Sequence, residues 1–324
     1  MSALVSDFSD DRGKQEAGAY EIRHGEYAAV ITARAGALRK LTYRGRDLVV
    51  PFPYGPPIPD YRGIVAAPWP NRVADGFYRF DNQSLRLRIN EPDRQCSLHG
   101  LAFDREWSVL CRSDRSVTLG LELDPSEGYP FALVLETTYA LDADGPGREG
   151  GLRWEVRARN VGDRTAPYGV CPHPYLVAGE SPLDAWELQI PAARFLEVTP
   201  DRLLPVGQRD VVGHEFDFQA ARPIGTTRID HAFTGIDFGP EGTVRLALRD
   251  PVHGTGVQME WDRDSPWLQI HTADKQPPAP SRIGLAAEPM TCPPDAFNSG
   301  TDLIRLEPGT SHTVRWRICS LDRS

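Results

Sequence analysis

Short stretches in which apolar and polar residues alternate one by one recur along the chain, at 27–34, 85–89, 117–123, 131–139, 152–159, 243–248, 257–261, 267–271 and 313–319. A two-residue period puts every second side chain on one face of an extended backbone, so each stretch predicts a strand with one apolar side. Turn-forming residues separate them, at Asp81-Asn82, 142–151, 160–163 and 239–242. Two places, around 181–186 and 294–298, allow a local helix, and neither sustains an amphipathic period. With 29 glycines and 29 prolines in the chain, helix is excluded as the dominant element. Many short strands joined by turns, without helical crossovers, predict an all-β fold, a large antiparallel β-sandwich. No repeat, linker or compositional step divides the chain. One domain over residues 19–324 is expected, preceded by a mobile tail at 1–18.

Charge narrows the partners. Lys and Arg total 36 against 45 Asp and Glu, a formal charge of −9. Nucleic acid and anionic membranes are poor partners for such a surface, because both require a basic face. No run approaches the ~18 apolar residues of a membrane span. The first twenty residues lack the basic start and apolar run of a secretory signal, so a cytoplasmic location is expected. The five cysteines, Cys96, Cys111, Cys171, Cys292 and Cys319, are scattered and form no CxxC pair. They read as ordinary thiols rather than a disulfide framework or a zinc site.

Three stretches combine reactive side chains with stiff backbone. In Ala67-Pro68-Trp69-Pro70-Asn71-Arg72 two prolines restrict the chain that presents Asn71 and Arg72; Arg72 reads equally as one surface arginine among many. In Cys171-Pro172-His173-Pro174-Tyr175 the imidazole of His173 is held in a nearly fixed direction, which suits a proton donor or a metal ligand. A structural histidine is the competing reading. Glu288 closes an apolar run and precedes Pro289, which places its carboxylate in a confined, partly desolvated position where a glutamate becomes a useful base. A glutamate bonded to loop amides or paired with an arginine would look the same. His99 and Asp230 also sit next to apolar residues.

Taken in order, Pro68 to Arg72 with Ala74-Asp75-Gly76, then Leu98-His99-Gly100, His173-Pro174-Tyr175, Arg228-Ile229-Asp230, Glu288-Pro289-Met290-Thr291 and Leu306-Glu307-Pro308-Gly309 resemble the aldose 1-epimerase (galactose mutarotase) family over roughly residues 20–320. The resemblance implies a galactose mutarotase-like sandwich with a sugar cleft on one sheet. It implies Glu288 as general base and His173 as general acid, with Arg72, His99 and Asp230 holding the sugar and Asn71 beside them. Trp267, near the final strands, could stack on a sugar face, although a core role fits it as well. The implied reaction needs no cofactor and no metal, and its partner is a small aldose such as galactose or glucose.

Other readings stay open. A hexose 6-phosphate could be the substrate, with Arg62, Arg72, Arg94 and Arg105 as a phosphate cluster. A glycoside hydrolase would use Glu288 and Asp230 as its carboxylate pair. A metal-dependent barrel would use His99, His173 and Glu288, and a non-catalytic sugar-binding protein would need no acid–base pair. Leu101 and Leu176, and the five prolines within 51–59, depart from the family pattern and bear on the cleft wall. Oligomeric state is not legible.

Overall fold

Along Leu133–Asp142 the residues Leu133, Leu135, Thr137, Tyr139 and Leu141 are buried and their neighbours are not. Gly151–Asn160 repeats the pattern, and register sets Tyr139 opposite Trp154 and Trp154 opposite Trp316, so large side chains meet on one face. Trp154 and Trp316 pack edge to face at 6.0 Å. Their indole N–H groups donate to Thr137 Oγ1 at 3.0 Å and Ser265 Oγ at 3.2 Å, which satisfies polar atoms that burial would otherwise strand.

The computed structural model describes residues 18–144 and 150–322. The expected tail at 1–18 lies outside the described residues except for Gly18, as do 145–149 of the expected turn at 142–151. Among the described residues, two large antiparallel sheets face one another as a β-sandwich. The larger runs Ser108–Arg112, Ser116–Leu123, Leu133–Asp142, Gly151–Asn160, Ser311–Ser320, Thr255–Asp262, Thr243–Asp250, Glu187–Gln189 and Arg222–Pro223. The smaller runs Tyr175–Leu176, Leu285–Met290, Trp267–His271, Asp230–Ile236, Ala192–Val198 and Pro205–Asp210. A meander of Ala19–His24, Tyr27–Thr32, Leu38–Tyr43 and Arg46–Asp47 covers part of the core. Among the described residues no helix is long and apolar enough to cross a membrane.

Most predicted strands are present within a few residues of their expected limits. The stretch at 85–89 is different: it contributes only the end of the Gln83–Arg86 strand, paired with Phe77–Phe80. Asp81 and Asn82 have φ of 44° and 64°, the left-handed pair of a two-residue hairpin turn, and that turn fixes the register so that pairing ends at Arg86. Among the described residues helix is confined to single turns at Pro59–Tyr61, Pro92–Arg94 and Leu183–Ala185 and to four residues at Ala296–Ser299. Leu285–Met290 is buried along its whole length. A strand covered on both faces shows no alternation, which is why only an apolar run marked it. Of the described cysteines, Cys96, Cys171, Cys292 and Cys319 are buried and Cys111 is exposed.

Candidate active site

Leu268 and Ile270 of the Trp267–His271 strand join the main core, while Trp267, Gln269 and His271 point to the other face. Cross-strand register sets Glu288 opposite Gln269 and Asp230 opposite His271, so these four polar side chains share that outer face. Gln269 Nε2 donates to Asp230 Oδ1 at 2.7 Å, and His271 Nδ1 lies 3.8 Å from Asp230 Oδ2.

A layer of loops and short strands lies over this face. Arg72–Ala74 pairs with Cys96–Leu98, and His99 N donates to Asn71 O at 3.0 Å, which brings Asn71, Arg72 and His99 together. Asn71 and His99 hold φ of 53° and 59°, a left-handed backbone that non-glycine residues adopt at a cost of about 1–3 kcal/mol, concentrated at sites of function. Next to them Gly100 has φ of 78°, and a Cβ there would lie 2.1 Å from Ala67 O. Gly100→Ala is therefore expected to lower Tm and to displace His99; thermal unfolding and sugar titration of the variant would show both, and an unchanged Tm would contradict this account of the turn.

Arg72 grips Glu91 with two bonds, Nε to Oε2 at 2.7 Å and Nη2 to Oε1 at 2.9 Å, and Asn71 Oδ1 accepts from the Arg72 backbone at 2.9 Å. Burial works against the guanidinium charge, but Glu91 and Asp230 outweigh it and its pKa rises. His173 is fixed through its backbone, donating to Ile64 O at 3.2 Å and accepting from Gly63 N at 2.8 Å. Its Nε2 lies 3.3 Å from Glu288 Oε1, with both side chains buried. The His99 ring meets His173 edge-on at 4.8 Å, Tyr175 stacks on His173 at 5.5 Å, and Tyr61 packs against His99 at 4.9 Å.

Burial governs the charges. It pushes the Glu288 carboxyl well above the usual carboxylate range, with Asp230 adding to the rise. It lowers the His173 imidazole to about 4, and the charge of His271 works in the same direction. Attraction within the pair would support each partner's charged form; desolvation outweighs it, and the pair at rest favours neutral groups. His99 is lowered well below its ordinary value by burial, then by His173 and Arg72.

The donor atoms of His99, His173 and Glu288 lie within 4.8 Å of one another. Histidines that bind a resident metal normally donate their second ring nitrogen to a partner. Here Nδ1 of both His99 and His173 is buried without a hydrogen-bond partner among the described residues, so the trio lacks the outer support of a metal centre. What the arrangement can do is move a proton between Glu288 and His173 beside a small polar molecule.

Of the residues singled out in the sequence, Glu288, His173, His99, Arg72, Asn71 and Asp230 come together. Trp267 lies on the same face, buried in a separate apolar cluster with its indole N–H donating to Asp302 Oδ2 at 2.7 Å. The four arginines of the phosphate reading do not form a free cluster. Arg72 and Arg94 both bind Glu91, Arg62 binds Asp60 at 2.8 Å, and Arg105 is exposed. Gln269, Tyr61 and Glu91 were missed. Gln269 could have been found, as a polar residue on the Trp267 side of an alternating strand. Tyr61 is placed by left-handed backbone at Asp60 and Tyr61, and Glu91 by a contact 19 residues from Arg72, neither of which leaves a local pattern.

The family profile described as aldose 1-epimerase matches residues 18–319. The chain belongs to the aldose 1-epimerase family. It is 36% identical over 296 residues to the uncharacterized protein YihR of Escherichia coli K12, covering 91% of this chain and 90% of the relative. It is 30% identical over 226 residues to human galactose mutarotase, covering 66% of this chain and 63% of that protein. Among solved structures, an aldose epimerase homologue from C. elegans superposes with a TM-score of 0.81 at 19% identity, over 95% of this chain and 99% of the other. That likeness confirms the galactose mutarotase-like fold.

Proposed function

We propose that this member of the aldose 1-epimerase family is a mutarotase that interconverts the α and β anomers of a free aldohexose such as galactose or glucose. The observation that carries the reading is the buried contact of His173 Nε2 and Glu288 Oε1 at 3.3 Å, ringed by Arg72, His99 and Asp230. A hemiacetal carries its hydroxyl and its ring oxygen on one carbon, so two groups side by side can reach both. Glu288 takes the proton of the C1 hydroxyl, His173 gives one to the ring oxygen, and the bond from C1 to that oxygen breaks. The free aldehyde turns about its bond to C2 and closes on the other face, returning both protons.

Ring opening starts from the minor carboxylate–imidazolium arrangement of the shared proton and ends in the neutral pair. Burial favours the neutral pair, and so favours the opened end of the step. Arg72 fits as a donor to sugar hydroxyls, held in place by Glu91, and Asp230 as an acceptor held by Gln269. Asn71 and His99 would complete the polar wall, and Trp267 would act as an apolar wall. We take residues 19–324 as one domain, which the shared core of the two sheets supports. The commitment of Arg62, Arg72 and Arg94 to carboxylates favours a free sugar over a phosphorylated one.

The test is exchange NMR of anomer interconversion across a panel of free and 6-phosphorylated aldoses. Acceleration for at least one free hexose is expected, and its absence across the panel would remove the reading. The rate should follow a bell in pH. The active pair holds one proton: a second adds as pH falls towards about 4, where His173 titrates, and the first is lost above the raised value of Glu288. A rate that climbs steadily through this range would contradict the shared proton.

A further inference from the structure

Cys171 opens the two-residue strand that leads to His173, and its partner is Ala66 on Val65–Ala66. Backbone bonds from Gly169 N to Pro68 O at 2.7 Å and from His173 N to Ile64 O at 3.2 Å fix the segment on either side. The Cys171 side chain is fully buried in the apolar cluster that includes Ile64, Ala66, Trp267 and Met290. From there its Sγ donates to Glu288 Oε2 at 3.7 Å, while the other oxygen, Oε1, faces His173.

A glutamate carboxylate turns easily about its last bond, and each turn re-aims the lone pairs of its two equivalent oxygens. A donor on one oxygen removes that freedom. We propose that Cys171 is a positioning residue for the base, its S–H engaging Glu288 Oε2 so that Oε1 is the oxygen presented to the sugar. The inference rests on the reading of Glu288 as base. Burial, reinforced by Glu288, raises the thiol well above its ordinary pKa, so it stays protonated and can only donate. A thiol is also a weak donor. It orients the carboxylate without the strong hydrogen bonding that would hold it ionised and blunt its basicity.

Wild type, Cys171→Ala and Cys171→Ser would be compared by anomer exchange across pH. In Cys171→Ala kcat should fall about tenfold, a loss of orientation with the base still present, and KM should hardly move. The alkaline limb should shift to higher pH, because a donor that favoured the carboxylate is gone. Cys171→Ser, a stronger donor, should recover most of kcat and move that limb to lower pH. A Cys171→Ala enzyme with wild-type kcat and limbs overturns the proposal, whatever its Tm.

The contact itself is read without turnover from the S–H stretching band in the infrared, assigned by difference against Cys171→Ala. It should stand at a hydrogen-bonded frequency in wild type and move to that of a free thiol in folded Glu288→Ala. A band that Glu288→Ala leaves in place overturns the proposal even in an active enzyme. A band that moves in a protein inactive on every aldose supports the contact and counts instead against Glu288 as base.

Discussion

Glu288→Gln is expected to slow anomer interconversion by about 10²–10⁴-fold, the usual worth of a positioned proton-transfer group. Glutamine keeps the shape and can still accept from Cys171 and lie against His173, so the buried strand Leu285–Met290 should tolerate it. Glutamine cannot accept a proton in this pH range, and without that acceptor the C1 hydroxyl has no route to open the ring. Tm should stay within a few degrees of wild type, because the substitution removes a carboxyl whose ionised form burial already disfavours. Sugar affinity should be nearly kept, since Arg72 and Asp230 are untouched. A variant that retains more than about a tenth of the rate in exchange NMR would remove Glu288 from the base role.

The largest effect on stability is expected far from the sugar, at Asp250. Its side chain is fully buried at the end of Thr243–Asp250 and accepts from Ser181 N and Oγ at 3.0 Å each, Val252 N at 3.1 Å, His253 N at 3.3 Å and His253 Nδ1 at 2.8 Å. Burial alone would raise this carboxyl, but the bonds from Ser181 and His253 outweigh it and bring the pKa to about 2. Asp250→Ala leaves those part-buried donors without their shared acceptor, which costs about 1–3 kcal/mol. Denaturant unfolding at neutral pH would measure it, and a loss below about 1 kcal/mol would show that the cluster is dispensable. The pH sign follows from the depressed value. The contribution is complete above the unfolded carboxyl range and is lost as pH falls towards 2, so wild type and variant should converge in acid.

The strands with one covered face were legible in the sequence because alternation records a difference between two sides. Leu285–Met290 has no such difference, and the Pro205–Asp210 edge, exposed along nearly all its length, offers no apolar side to detect. At the site, His173 and Arg72 were marked by the prolines that stiffen their segments. The residues that hold Arg72 and Asp230 were not. Glu91 meets Arg72, and Gln269 meets Asp230, through chain distances that no local period encodes. The charge state is hidden for a related reason: attraction between two groups can be guessed from their types, whereas the depth at which they are buried belongs to the folded whole.

The order of the larger sheet has a consequence for how the chain reaches this form. Ser311–Ser320 lies between Gly151–Asn160 and Thr255–Asp262, and it follows both of them in sequence. During synthesis the two halves of that sheet emerge with open inner edges and wait for the strand that joins them. A ribosome-bound chain stopped before residue 311 holds every residue assigned here to sugar chemistry and still cannot close the scaffold beneath them. Closure of the larger sheet accordingly waits for Ser311–Ser320, and the unjoined edges are where a chaperone would have most to protect.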